Sequence, residues 1–234
     1  MPFYFMDYWY IIFCVPPLIF ALWAQYKVNS TYKKYSKVAT RYGMTGAEAA
    51  SMVLRQNGVA QMPVQPIAGN LTDHFDPRNN TISLSQGVYN SQSVAAVGIA
   101  AHEAGHAVQH ATGYSPVKLR TALVPVANIG SQAGIWLAVI GIMLSTVTLA
   151  YVGVGLYLFF VLFQLVTLPV EFNASRRAMA ALEGCGRFSE EELRGSKKVL
   201  SAAAMTYVAA LASSIGMLLR LLAIIGSGNS RNRR

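Results

Sequence analysis

His102, Glu103 and His106, in Ala101-His102-Glu103-Ala104-Gly105-His106, are the residues whose types and spacing most directly make metal chemistry. On a helix, residues four apart share a face. The imidazoles of His102 and His106 can therefore address one cation while the Glu103 carboxylate stands beside it. This H-E-x-x-H spacing is that of zinc hydrolases, with two nitrogen ligands and a carboxylate placed to take a proton from water. A pattern this short arises by chance in unrelated chains, and it works only on a helix. The flanking residues favour one: Ser91 or Ser93 can cap its start, Val94 to His110 contains no proline, and Gly113 can end it.

A catalytic zinc takes three protein ligands and leaves a fourth position open. Glu171 and His110 compete for the third place. A straight helix advances ~12 Å over eight residues. His102, His106 and His110 therefore cannot all reach one ion through bonds of ~2.1 Å. Glu171 follows a long apolar run and precedes Phe172-Asn173-Ala174-Ser175-Arg176-Arg177. An acid at such a boundary either faces protein or pairs with a cation such as Arg176 or Arg177. Glu171 is the favoured third ligand, which leaves His110 for a supporting contact, substrate or solvent. His74, in Asp73-His74-Phe75-Asp76, is either an ordinary loop histidine or one that reaches the metal or substrate. His110, His74, Arg177 or a tyrosine can serve as the helper that stabilises an oxyanion.

The chain around these residues has 234 positions, 53% of them hydrophobic and 12% charged, where a soluble domain carries about a quarter charged. Its net charge of +9 comes from basic residues beside apolar runs. That placement marks membrane topology and lipid contact, not a nucleic-acid surface. Cys14 and Cys185 lie far apart and form no C-x-x-C, so neither a disulfide framework nor a zinc knuckle is present.

Phe3 to Ala24 is long enough to cross a bilayer, with a kink expected at Pro16-Pro17. No Lys or Arg precedes Lys27, so it reads as an uncleaved anchor. Lys27, Lys33, Lys34, Lys37 and Arg41 then place the following segment in the cytoplasm and the N-terminus outside. Pro125 is expected to break Pro116 to Ala127 into a connector. Ile129 to Pro169 is too long for one span and predicts two helices with a turn near Ala150 to Gly155. Ala178 to Lys198 reads as a solvated stretch. Val199 to Gly226, interrupted by Arg220, is a fourth span or an amphipathic surface helix.

The polar part before the metal helix has its own signals. Thr45 and Glu48 have capping-box spacing for a helix over Met44 to Gly58. Val64 to Ala68 and Thr81 to Ser85 read as short strands separated by turn-forming residues. Thr81 to Ser85 is the strand expected to offer a free edge to an extended substrate.

Three stretches together resemble the YugP-like family of zinc-dependent bacterial membrane metallopeptidases. They are Thr72-Asp73-His74-Phe75-Asp76-Pro77-Arg78, Ala101-His102-Glu103-Ala104-Gly105-His106-Ala107-Val108-Gln109 and Leu168-Pro169-Val170-Glu171-Phe172-Asn173-Ala174-Ser175-Arg176-Arg177-Ala178. The resemblance implies a gluzincin-type Zn2+ site with His102, His106 and Glu171 as ligands and Glu103 as base. More distantly the chain is similar to the HtpX and CAAX prenyl protease group. That group carries an Asp four residues after its ligand Glu, where this chain has Ser175, which leaves the hydrogen-bond partner of a zinc-bound histidine unassigned.

The expected protein is therefore a mostly α, polytopic membrane protein with about four transmembrane helices and a small α+β zincin-like cytoplasmic domain. Residues 1–26 form an anchor, 27–127 the metalloprotease domain, and 128–170 a transmembrane hairpin. Residues 171–198 form the segment with the third ligand, and 199–234 the last helix and basic tail. The expected function is a zinc metalloendopeptidase of the cell membrane, its site facing the cytoplasm, hydrolysing peptide or unfolded segments of membrane proteins in quality control. Its partners are the lipid bilayer and those segments, with no nucleic acid. An intramembrane site-2-type protease and a non-proteolytic, zinc-stabilised membrane scaffold are the alternatives.

Overall fold

The computed structural model describes residues 7–59 and 61–231; the start of the first apolar run, at Phe3, lies outside them. The chain forms two compact units. One comprises Met1–Ala24, Lys118–Leu168 and Thr206–Arg234, and the other Gln25–Val117 and Pro169–Met205. Among the described residues, four helical stretches are long and apolar enough to cross a membrane: Tyr8–Tyr35, Ser115–Met143, Val147–Gly184 and Glu190–Ser227.

The first unit is built from the apolar lengths of these helices. Helix α1 (Tyr8–Phe13) stops at Cys14, and α2 (Val15–Tyr35) continues. The break matches the expected kink: Pro16 and Pro17 lack the donors that Ile12 and Phe13 would need, and their rings crowd those carbonyls. A Cβ at Gly216 would lie 2.1 Å from the Phe13 carbonyl oxygen, so a later helix packs backbone to backbone at this bend.

Two expectations are corrected here. Pro116 to Ala127 is not a connector, because α6 (Ser115–Ile129) runs through Pro125. It passes into a π-helical turn (Gly130–Gly134) and then α7 (Ile135–Met143). In lipid a broken backbone must be satisfied internally, so a proline is absorbed by local re-registering of the helix instead of ending it. The hairpin does contain two helical arms, but it turns at Leu144 to Thr146, with Ser145 at φ 54°. Ala150 to Gly155 lies inside α8 (Val147–Gly184). Gly153, inside the stretch expected to turn, is a packing residue, as are Gly141 and Gly130, whereas Gly155 has open space around it. A Cβ at Gly153 would meet Ala138 N at 2.2 Å, at Gly141 Ala150 N at 2.3 Å, and at Gly130 Leu156 O at 2.3 Å. Small residues of this kind let membrane helices approach backbone to backbone.

Helix α9 (Glu190–Arg231) settles the place of Arg220. The residue is 3% exposed, with Nη2 2.8 Å from Asp7 Oδ2 and its guanidinium over the Tyr10 ring. A paired, covered arginine does not meet lipid. Leu221 beside it is fully buried with Ala138, Ala150 and Val154, which makes α9 a member of the bundle. Leu22, Trp23, Trp136, Phe159 and Leu165 stay exposed, the outward apolar surface that a bilayer covers.

The second unit holds the polar chemistry. Thr45 caps α3 (Gly46–Gln56) in a full capping box with Glu48, as its spacing predicts. A three-stranded sheet follows, β1 (Val64–Ile67), β2 (His74–Asp76) and β3 (Thr81–Ser85), in the order β1-β3-β2. β3 pairs parallel with β1 and antiparallel with β2, and all five of its residues are buried. The expected free edge at Thr81 to Ser85 is therefore wrong: β3 is central, and β2 is an edge strand. Three residues bounded by aspartates carry no readable alternation. What holds β2 in place is tertiary, with the Asp73 carboxylate accepting from the Ser85 N–H and hydroxyl.

A short helix α4 (Gln86–Tyr89) leads to α5 (Val94–Ala111), whose N-cap Ser93 accepts from Ala96 N. Ala96, Val97, Ala100, Ala101, Ala104 and Val108 pack with Ala49, Ala50 and Val53 in one buried core. Helix α8 runs unbroken through Pro169 to Gly184, so Glu171 sits within a helix.

Candidate metal centre

Helix α5 needs a bare backbone to reach its partner. Gly105 lies between Glu103 and His106, and a Cβ there would stand 2.6 Å from the Ala174 carbonyl oxygen. Its absence lets α5 lie against the part of α8 that carries Glu171. His102 and His106, one turn apart, then face Glu171 across the contact.

The three side chains converge. His102 Nε2 and His106 Nε2 are 3.1 Å apart, and each is 3.4 Å from Glu171 Oε2. A tetrahedral ion with bonds of ~2.0–2.1 Å has ligand atoms about 3.4 Å apart, so this triangle has the dimensions of one face of such a site. The donor set, two imidazoles and a carboxylate 3% exposed, suits zinc. Among the described residues, no other group of three or more His, Cys, Asp or Glu converges in this way.

The outer ring nitrogens are also engaged. His102 Nδ1 lies 3.1 Å from Ser175 Oγ, which puts a hydroxyl where the resemblance leaves a partner unassigned. His106 Nδ1 lies 3.0 Å from Gln109 Oε1. Gln109 is fully buried, and its Nε2 donates to the Val170 carbonyl at 2.8 Å and to Asn173 Oδ1 at 3.0 Å. Arg177 Nε donates to the same Asn173 oxygen at 2.9 Å and its guanidinium lies over the Tyr114 ring.

Glu103 faces the sheet. Its Oε2 accepts from the Phe75 main-chain N–H at 3.1 Å, which joins the carboxylate to edge strand β2. Burial pushes the Glu103 carboxyl above its ordinary value. The His102 and His106 imidazoles pull it back, and the Glu171 and Asp73 carboxylates push it further up. A carboxylate raised toward neutrality is a better proton acceptor and donor near pH 7.

The structure sets the other sequence candidates apart from this cluster. His110 is exposed and its ring tilts against Phe75 with centroids 5.6 Å apart. His74 is exposed on β2 with Nδ1 2.8 Å from Thr72 O. Arg177 reaches the centre only through Asn173 and Gln109. Sequence reasoning assigned no role to Gln109, Asn173 or the Phe75 amide. Ser175, four residues after Glu171, and Gln109, three after His106, have the helical spacing that could have pointed to them.

A family model described as "putative neutral zinc metallopeptidase" matches residues 10–226. The chain is similar to the "Putative membrane protease YugP" of Bacillus subtilis (strain 168), with 43% identity over 223 residues, covering 95% of this chain and 99% of the relative. No solved structure matches.

Proposed function

The chain belongs to the zinc metallopeptidase family so described, and from that premise we propose that it is a membrane-embedded endopeptidase of the gluzincin type. His102, His106 and Glu171 hold the ion and Glu103 is the general base. The observation that carries this reading is the triangle of 3.1, 3.4 and 3.4 Å formed by two Nε2 atoms and one carboxylate oxygen.

Zinc held there supplies Lewis acidity, polarising a carbonyl and lowering the pKa of water toward ~7. The Glu103 carboxylate takes the water's proton and delivers it to the leaving amine, and the Phe75 N–H keeps that carboxylate aimed. An extended substrate lies along β2, the sheet edge in contact with Glu103, because such an edge offers main-chain hydrogen bonds with little sequence preference. The substrates are extended or unfolded peptide segments of membrane proteins, consistent with quality control. Glu171 lies two residues past Pro169, the end of the apolar run, and the basic residues after Lys27 favour a cytoplasmic site in the cell membrane. The site-2-type alternative is disfavoured because α5, which carries both histidines, is not one of the four apolar spans.

The experiment is metal content and casein cleavage in detergent-purified protein. Wild type should bind one zinc and cleave, and a chelator should stop it. His102→Ala and Glu171→Ala should lose zinc, and His110→Ala should keep it. Full zinc in Glu171→Ala with loss in His110→Ala would replace the ligand set. Zinc without cleavage of any unfolded substrate would favour the scaffold.

A further inference from the structure

A histidine ligates through the ring nitrogen that carries no proton, so something must decide which nitrogen that is. At His106 the decision can be traced through a chain of groups with fixed roles. The Val170 carbonyl can only accept, and Arg177 Nε–H can only donate. Arg177 therefore fixes the Asn173 amide with its oxygen toward the guanidinium. That oxygen, with the Val170 carbonyl, requires the Gln109 NH2 to point at both. The Gln109 oxygen is then turned to His106, where it can only accept, so the proton must sit on His106 Nδ1. The Nε2 lone pair is left facing His102 and Glu171.

We infer that Gln109 is a positioning residue of the metal centre, setting the tautomer of His106 and binding helix α5 to the turn of α8 that carries Glu171. One amide does both because its two ends have opposite polarity. The oxygen orients a ligand on its own helix, and the NH2 holds the carbonyl of the residue immediately before the other ligand. Gln109 is fully buried, so no water competes for either end, and a lost partner would leave a buried polar atom unpaired. Arg177 and Asn173 act through it. This gives Arg177 a place in orienting the ligand in addition to any contact with substrate, and its stacking on Tyr114 holds the far end.

This rests on His106 being a zinc ligand, and the test separates the two ideas. Only four histidines are present, so selective 15N-histidine labelling of the zinc-free protein in detergent gives four ring systems. In its neutral form the His106 ring should carry its single proton on Nδ1. In Gln109→Leu, which removes both ends, His106 should lose that single tautomer. Zinc affinity, measured against a competing chelator, should fall by about 10–100-fold, as for other lost partners of a metal-bound histidine. Gln109→Glu keeps the acceptor and removes the donor. Its His106 should stay protonated on Nδ1, with zinc affinity within several-fold of wild type and a lower Tm. Wild-type His106 protonated on Nε2, or unchanged zinc affinity in folded Gln109→Leu, would overturn the inference. If Gln109→Leu does not fold, the wild-type tautomer and Gln109→Glu still decide. Full zinc in His102→Ala would instead sink the ligand set, and the tautomer measurement, made without zinc, is unaffected by that result.

Discussion

Glu103 and Glu171 are two carboxylates within one centre, and their surroundings give them different work. Glu171 is almost sealed from solvent, with one oxygen 3.4 Å from both imidazoles, the position of a ligand. Glu103 leans on a main-chain amide and sits in surroundings that favour its protonated form, the position of a group that gains and loses a proton. Glu103→Gln keeps the size and the oxygen that accepts from Phe75 but cannot take a proton. It should retain full zinc and lose at least ~10²-fold in cleavage rate, the low end for loss of a general base. Metal analysis beside a peptide-cleavage assay checks both halves, and an unchanged rate removes Glu103 from the chemistry.

Among the elements, the contact between α5 and α8 decides whether the ligands meet at all. It depends on an absent side chain, because the space where a Cβ of Gly105 would go is filled by the Ala174 carbonyl 2.6 Å away. Backbone cannot yield as a flexible side chain does, so Gly105→Ala must push the helices apart. A gain of helix propensity of about 1 kcal/mol then competes with an overpacking cost of ~1–3 kcal/mol. The ligands suffer more than the fold, since a bond of ~2.1 Å tolerates only about 0.2 Å of error. Gly105→Ala should remain folded, with a modestly lower Tm, and bind zinc at least tenfold more weakly by chelator competition. Wild-type affinity would mean that the helix contact does not set the site.

For the whole molecule the testable matter is which side of the membrane each part occupies. The shifted hairpin turn changes the positions worth probing. Thr146 lies in the turn that joins α7 to α8, and Gln56 is exposed at the end of α3. On a background lacking Cys14 and Cys185, Thr146→Cys should react with an impermeant thiol reagent in intact cells. Gln56→Cys should react only after the membrane is opened. The reverse pattern would turn the protein over and place the metal centre outside. Arg220 supports four spans at this scale: its ion pair with Asp7 joins the start of the first span to the end of the last, which an even number of crossings brings to one side.

What the sequence by itself determined is what short-range periodicity and residue chemistry can carry. The His102–His106 face, the Thr45–Glu48 capping box and the apolar runs are all local, and each is visible in a window of a few turns. Glu171 was reachable because few acids border an apolar run and because a helix cannot bend three histidines around one ion. What only the tertiary structure decided depends on a partner far away in the chain. β2 exists because Ser85 and Glu103 hold it, and its three residues are too few to show a pattern. Gly130, Gly141 and Gly153 have the same identity as turn glycines, and only the opposing backbone makes them packing residues. Gln109 would serve as well on a solvated helix face; its role appears only when Val170 and Asn173, more than sixty positions on, arrive to take its two hydrogens and turn its oxygen toward His106.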